Sequence, residues 1–365
     1  MSKLVFILGA GCSVAAGAPT MPKFLDVAES ISRSKKLFVG DQEKFDLVFK
    51  AYDCLQSIYS KSSEIDLLNI ESLFAAFEMA ETTGVLRGLA EPHSASQLVR
   101  SITRMIVRTL ELSVRFPGKG APIPYDRFCN WCKSRAEDIS ILTFNYDLCL
   151  DWAFHLGGLR PDYRLPNDGP EDRGSIDLLK LHGSLNWGLC EQCGIVPKRL
   201  HALTQWEQGR VLSAAGPDEF RMAITDAISN QTCSRCSKSF HEEPVIVPPT
   251  WNKGGFSSTS MRTVWARAAE HLAEAEYIVI IGYSVPQTDQ FFHYLYALGT
   301  MSQTRVKKIL VYNPDESVED RYRRLLGPTA VSRFKFISGR EDITGAELGK
   351  FENAIQKFSR DLGNW

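Results

Sequence analysis

No apolar run in this sequence approaches the roughly 20 residues of a membrane-spanning helix. Its start has no basic segment leading into a long apolar core, because MSKLVFILGAG runs into glycine at Gly9. Both absences point to a soluble, cytoplasmic protein with no membrane partner. There is no excess of either charge: 42 Lys and Arg face 43 Asp and Glu, a formal net charge of −1. No global positive field exists to attract a phosphate backbone, so direct nucleic-acid binding is not expected. Internal repeats and low-complexity segments are missing. With 44% hydrophobic and 23% charged residues the chain is not disordered. No G-x-S-x-G elbow is present, which argues against acyl transfer by serine. Nine cysteines are an odd number, and without a secretion signal they point to thiols or metal rather than disulfides. At 365 residues the chain can bury a large core, as one elaborated α/β domain or as two.

What is present is organised around Lys3 to Pro22, KLVFILGAGCSVAAGAPTMP. The apolar run from Leu4 to Leu8 reads as a buried parallel strand. Gly9-Ala10-Gly11 follows at once, then Cys12-Ser13 and a small-residue segment that reads as a helix start. A strand, a glycine turn and a helix start form a phosphate-binding corner, since glycine lets a pyrophosphate approach the backbone. Ser13 can cap the helix or donate to phosphate. The dinucleotide pattern G-x-G-x-x-G is incomplete, with valine at position 14 and the next glycine at Gly17.

From Phe24 to Cys132 apolar residues recur at steps of three and four. Phe45, Val48, Tyr52, Leu55 and Tyr59 form one stripe; Ile70, Phe74 and Phe77 another; Leu98, Ile102, Met105 and Leu112 a third. This predicts a helical insertion over 24–132, broken by a turn at Gly118–Pro124. Strands are then predicted at Asp138–Phe144, Asp177–Leu181, Pro244–Val247, Tyr277–Ile281, Val306–Tyr312 and Phe334–Ile337. A helix is predicted at Ser260–Glu276, and a Pro-, Asp- and Gly-rich loop at Arg160–Gly174. Five strands end in polar clusters: Gly-Ala-Gly, Asn145-Tyr146-Asp147, His182-Gly183-Ser184, Gly282-Tyr283-Ser284 and Asn313-Pro314-Asp315. In an open parallel sheet the carboxyl ends of the strands line one ligand crevice. The expected fold is therefore α/β, a Rossmann-like parallel sheet with a helical insertion and a small zinc-binding module.

The zinc expectation rests on Cys190-x-x-Cys193 and Cys233-x-x-Cys236 within a module spanning 190–241. Paired C-x-x-C units supply four thiolates for a tetrahedral, closed and hence structural Zn2+. Cys129 and Cys132 share the spacing but have no second pair and read as core thiols. His201 and His241 read as solvated. The chemistry is expected at Asn145 and His182. A histidine at a strand end can act as a base near neutral pH, and an uncharged asparagine can orient a water or a ribose hydroxyl. Asp147 can hold a ribose or support the site.

Taken in order, Gly9-Ala10-Gly11-Cys12-Ser13, Thr143-x-Asn145-Tyr146-Asp147, Leu181-His182-Gly183-Ser184, the four cysteines, Gly282-Tyr283-Ser284 and Asn313 resemble the sirtuin-like superfamily of NAD-consuming proteins. The resemblance covers residues 3 to 25 and 138 to 315. It implies that Gly9, Ala10, Gly11 and Ser13 contact the NAD pyrophosphate, and that Asn145 and His182 flank the nicotinamide ribose. Gly282, Ser284 and Asn313 would hold the adenosine half. Protein deacylases of that family carry Pro-Asp-Phe-Arg after the glycine corner; here Ala18-Pro19-Thr20-Met21-Pro22 has no arginine. They carry glutamine before the catalytic asparagine; here it is Phe144. Their Phe-Gly-Glu segment is replaced by Val245-Ile246-Val247-Pro248-Pro249-Thr250. Thr143-x-Asn145-Tyr146-Asp147, Leu181-His182-Gly183-Ser184 and Gly-Tyr-Ser-x-x-x-x-Asp look like the prokaryotic anti-phage defence branch, which hydrolyses NAD outright. The expected activity is NAD glycohydrolase, with NAD-dependent protein deacylase as the alternative. Such an activity would deplete cellular NAD and needs gating, by homo-oligomerisation or by a HerA-type ATPase partner.

Overall fold

A computed structural model describes residues 4–34, 36–59, 66–84, 94–117, 124–166, 175–198, 212–216, 219–247, 259–286, 289–301, 304–339 and 349–362. The predicted turn at Gly118–Pro124 therefore lies outside the described residues except for Pro124. His201, Pro248-Pro249-Thr250 and the second half of the Arg160–Gly174 loop also lie outside them.

In chain order the strands are β1 (Leu4–Leu8), β2 (Phe116–Pro117), β3 (Ile139–Thr143), β4 (Arg160–Asp162), β5 (Ser175–Lys180), β6 (Trp187–Cys190), β7 (Gly194–Pro197), β8 (Leu212–Gly216), β9 (Glu219–Met222), β10 (Tyr277–Ile281), β11 (Lys308–Tyr312) and β12 (Phe334–Ile337). Seven of them form one sheet in the order β12-β11-β10-β1-β3-β5-β4, parallel throughout. β1 and β3 are buried along their whole length, and β10 and β11 at all but their first residue, as expected for strands covered on both faces. The chain leaves β1 toward β3, β5 and β4, then returns to the other side of β1 to lay down β10, β11 and β12. The order reverses at β1, so the carboxyl ends of β1, β3 and β10 flank the crevice where an open α/β sheet binds ligands.

Strand expectations hold to within a residue or two, with two corrections. Pro244–Val247 is not a strand; only Ile246 bridges, antiparallel, to Gly183. Inside the expected loop from Arg160 lies β4, a three-residue edge strand containing Pro161. An edge position leaves the missing N–H of proline without a ladder partner to disappoint. The expected helix start after the glycine corner is a 3₁₀ segment, Ala10–Ala16. Ser13 lies inside it and is not its cap.

Between β1 and β3 stand helices Phe24–Arg33, Val39–Tyr59, Ile70–Thr83, Ala95–Ser113 and Pro124–Lys133. Ala95–Ser113 starts at a capping box. Ser94 accepts from the Gln97 N–H, and the Gln97 side chain accepts from the Ser94 N–H. Its buried stripe includes Leu98, Ile102 and Met105. The last helix, Phe351–Leu362, returns to the sheet. Phe358 packs on Phe6, and Phe351 packs on Tyr125 at 4.8 Å between ring centroids.

Two arginines of Ala95–Ser113 clamp the inserted helices to the cysteine-bearing module. Arg104 Nε donates to Asp41 at 2.7 Å and its Nη2 to Asp226 at 2.8 Å. Arg108 donates to the other Asp41 oxygen at 2.9 Å, to Glu111 at 2.6 Å and to Asp226. Glu111 in turn accepts from the N–H and hydroxyl of Thr225. Asp41, Arg104, Arg108 and Glu111 are all buried. A buried ion pair adds little over an apolar pair, but removing one member strands the other's charge. Asp41→Asn should therefore lower stability by about 3 kcal/mol, read as a fall in the urea midpoint at unchanged slope. An unchanged midpoint would mean that the arginines are solvated.

Candidate functional site

The crevice is built where β1 meets β10. Gly9 N–H donates to Ile281 O at 3.0 Å and Gly11 N–H to Gly282 O at 2.9 Å. A Cβ on Gly9 would lie 2.5 Å from Tyr283 Cα, and one on Gly11 2.7 Å from Gly282 Cα. The glycines are thus required by the approach of the β10 end. Gly282 itself has φ +63°, where glycine is strain-free.

This folding-over places Ser13, fully buried, beneath the corner. Its hydroxyl donates to Asp147 Oδ2 at 2.6 Å, accepts from Asn145 Nδ2 at 3.1 Å and lies 2.7 Å from the Tyr125 hydroxyl. Both oxygens of Asp147 are committed inside the protein, the second to the Cys149 N–H at 3.0 Å. Burial, then the charge of Asp147, pushes the Tyr125 phenol well above its ordinary value, so it remains a neutral hydroxyl. Behind Asp147, the buried Lys180 donates to the Asp147 carbonyl at 2.7 Å and to Asp151 at 2.9 Å. Tyr163 donates to the other Asp151 oxygen at 2.5 Å. Ser13 and Asp147 accordingly hold the corner together.

Asn145 sits on this support. Its Nδ2 donates to Gly9 O at 3.0 Å and to Ser13, and its backbone N–H to Thr143 Oγ1 at 3.1 Å. Because Gly9 offers a carbonyl, the amide orientation is fixed: nitrogen inward, Oδ1 toward the crevice. On the neighbouring strand Thr143 pairs with Lys180, so Asn145 and His182 occupy equivalent places two residues beyond a paired position. His182 is 4% exposed. Phe144 stands at 4.9 Å from its ring, and Nε2 lies 3.6 Å from Asp289 Oδ2. The remaining expected contacts tie strand ends together. Asn313 Nδ2 donates to Tyr283 O at 3.2 Å, and Ser284 O accepts from Arg321 at 3.3 Å. Ala10 and Ser284 are partly exposed at the crevice edge.

Sequence reasoning did not place three acids here. Asp289 completes Gly-Tyr-Ser-x-x-x-x-Asp, a spacing visible in the sequence. Glu71 and Glu78, both buried, come from helix Ile70–Thr83. With Asp289 they raise the Tyr146 phenol further above its ordinary value, after burial as the larger cause. Their i, i+7 spacing on an inserted helix was the signal, hidden among core residues. A cleft of about 530 Å³ opens elsewhere, beside helix Val39–Tyr59, lined by Lys44, Lys50 and Arg100 and by Glu43, Asp46 and Glu242. Its opposed charges neutralise one another, and it does not touch the crevice.

The Sγ atoms of Cys190, Cys193, Cys233 and Cys236 lie within 4.8 Å of one another, a set that fits tetrahedral zinc. Cys190 ends β6 and Cys193 precedes Gly194, whose φ of +75° turns the chain into β7. Burial opposes ionisation of Cys233, but the N–H groups of Arg235 and Cys236 outweigh it and bring the thiol down to about 7. Cys129 and Cys132 lie in the core, where burial pushes the Cys129 thiol up to about 11. The module reaches His182 through its return segment. Val247 N–H donates to His182 O at 2.8 Å and Ser184 N–H to Val245 O at 2.9 Å.

No protein-family model matches this chain, and no curated protein matches it. Among solved structures it is similar to a Sir2 homolog–NAD complex, at 14% identity over 98% of this chain and 90% of that one, with a TM-score of 0.39. It is also similar to Sir2 bound to an acetylated peptide, at 12% identity over 98% and 93%, with a TM-score of 0.38. A likeness this distant assigns no activity.

Metal analysis should find about one zinc per chain, and Cys193→Ser should lower the melting temperature, because structural zinc binding is folding free energy. A zinc-free protein that melts at the same temperature would contradict this. Gly183 has φ +86°, and a Cβ there would lie 2.1 Å from Val245 O. Gly183→Ala should therefore cost about 2–5 kcal/mol, measured by denaturant unfolding; a loss below a few tenths would show that the return segment yields.

Proposed function

We propose that the crevice binds NAD and hydrolyses the bond between nicotinamide and ribose, releasing nicotinamide, ADP-ribose and a proton. The observation that carries this reading is the pairing of Asn145 and His182. The two lie at equivalent positions on adjacent strand ends, with the Asn145 carbonyl fixed toward the crevice by Gly9 and Ser13. Nicotinamide leaves as a neutral ring, taking the bonding electrons and leaving an oxocarbenium-like ribose. Asn145 Oδ1 accepts a hydrogen bond from the attacking water or from a ribose hydroxyl. His182 takes the proton that the water or hydroxyl gives up. The ordered strand-end motifs, which resemble those of sirtuin-like NAD-consuming proteins, support the choice of substrate. The absence of the deacylase arginine and Phe-Gly-Glu segments favours water over an acyl-lysine as acceptor.

An enzyme that drains NAD needs restraint, and we assign that restraint to homo-oligomerisation or to an ATPase partner of the HerA type, in a cytoplasmic anti-phage role. Apolar surface for such contacts is present: Phe38 and Val39 are exposed where the insertion begins its second helix, and Tyr294, Leu298 and Met301 are exposed on and just after helix Gln290–Gly299.

The test is nicotinamide release with and without an acetylated peptide, across protein concentrations. Wild-type protein should release nicotinamide without peptide. Asn145→Ala and His182→Ala should each lower the rate by about 10²- to 10⁴-fold while keeping fold and assembly. Release only with peptide would make this a deacylase. Near-full activity of His182→Ala would remove His182 from the mechanism.

A further inference from the structure

We propose that Asp289 is the positioning residue for His182: a buried carboxylate, held by its own donors, that fixes the imidazole and balances the charge it acquires. The inference deepens the hydrolase reading and, for its activity arm, rests on it.

Asp289 precedes helix Gln290–Gly299 and is 1% exposed. Its Oδ1 accepts from the Phe292 N–H at 3.4 Å, the cap of that helix. Its Oδ2 accepts from the Tyr283 hydroxyl at 2.7 Å and lies 3.6 Å from His182 Nε2. Burial first, and then Asp289 itself, pushes the Tyr283 phenol well up, so the phenol remains a donor to the carboxylate. The helix N-terminus adds a favourable field for a negative charge. The carboxylate is thus held in place by its own donors beside the imidazole. At 3.6 Å between two buried side chains, its attraction for an imidazolium is weakly screened.

The arrangement fits the chemistry. When His182 takes a proton from the attacking water or ribose hydroxyl, a positive charge appears on a buried ring. Asp289 stands where that charge forms. The other groups that act electrostatically here come from separate elements: Tyr146 after β3, Tyr283 after β10, and Glu71 and Glu78 from helix Ile70–Thr83. The carboxylates among them act in the same direction as Asp289, while Phe144 and Phe292 are uncharged. Asp289 is the carboxylate aimed at the imidazole nitrogen.

Asp289→Asn separates this role from a merely structural one. With its amide oxygen on the Phe292 N–H, asparagine keeps the helix cap and turns its NH2 toward Tyr283, whose hydroxyl can accept instead of donate. The negative charge facing His182 is lost. The His182 imidazole, identified by NMR through the resonance missing from His182→Ala, should titrate about one pH unit or more lower in Asp289→Asn than in wild type. The acid limb of kcat/KM for NAD should move with it, and kcat should fall about 10- to 100-fold at little-changed KM. Asp289→Glu should restore part of both. Identical titration and identical pH profiles in wild type and Asp289→Asn would overturn the proposal and leave Asp289 as a helix cap. If wild-type protein cleaves no NAD, the hydrolase reading fails, while the titration still decides whether the pair exists.

Discussion

The contact that organises the crevice is backbone against backbone at the ends of β1 and β10. Gly9, Gly11 and Gly282 meet so tightly that a Cβ on any of them would lie 2.5–2.7 Å from a neighbouring backbone atom. With side chains there, the chain could not turn under the β10 end, and Ser13 could not reach Asn145 and Asp147. The orientation of Asn145 depends on Gly9 O and on Ser13, so it is a consequence of three missing Cβ atoms. The Cys12 Sγ, buried beside it and bonded to Ile281 O at 3.2 Å, closes the same contact from below.

Much of the frame was legible because parallel strands buried on both faces read as apolar runs, and because their ends carry polar residues. β1, β3, β5, β10 and β11 announce themselves in that way. The four zinc-site cysteines were legible from spacing alone. What spacing could not reveal was which partner uses a residue. Glycine next to a strand suits a phosphate or a neighbouring chain equally, and only the register of β10 against β1 shows the neighbour. Ser13 was legible as a polar residue near the corner, but its burial under Asn145 depends on a loop more than a hundred positions away. Glu71 and Glu78 were concealed by their helix, whose apolar stripe reads as core. β4 was concealed by Pro161, which reads as a loop until an edge position is known to be available.

The two additions to the sheet do more than decorate it. The zinc module hands its return segment to His182 and Ser184, while Gly183 leaves room for the Val245 carbonyl. The inserted helices set Glu71 and Glu78 where their charge reaches Tyr146 and grip the zinc module through Arg104 and Arg108. A displacement of either addition therefore reaches the histidine by a short route. This matters for a site where misplacement by about 1 Å can cost about 10²-fold in rate, and it gives any assembly contact on the insertion a physical means of changing activity.

The most direct measurement is a crystal structure of the protein with ADP-ribose, the product of the proposed reaction. The account predicts density across the carboxyl ends of β1, β3, β5 and β10, with the terminal ribose against Asn145 Oδ1 and the His182 ring and the adenosine toward Ser284. Density elsewhere, or a ribose out of reach of both Asn145 and His182 in a well-occupied site, would contradict it.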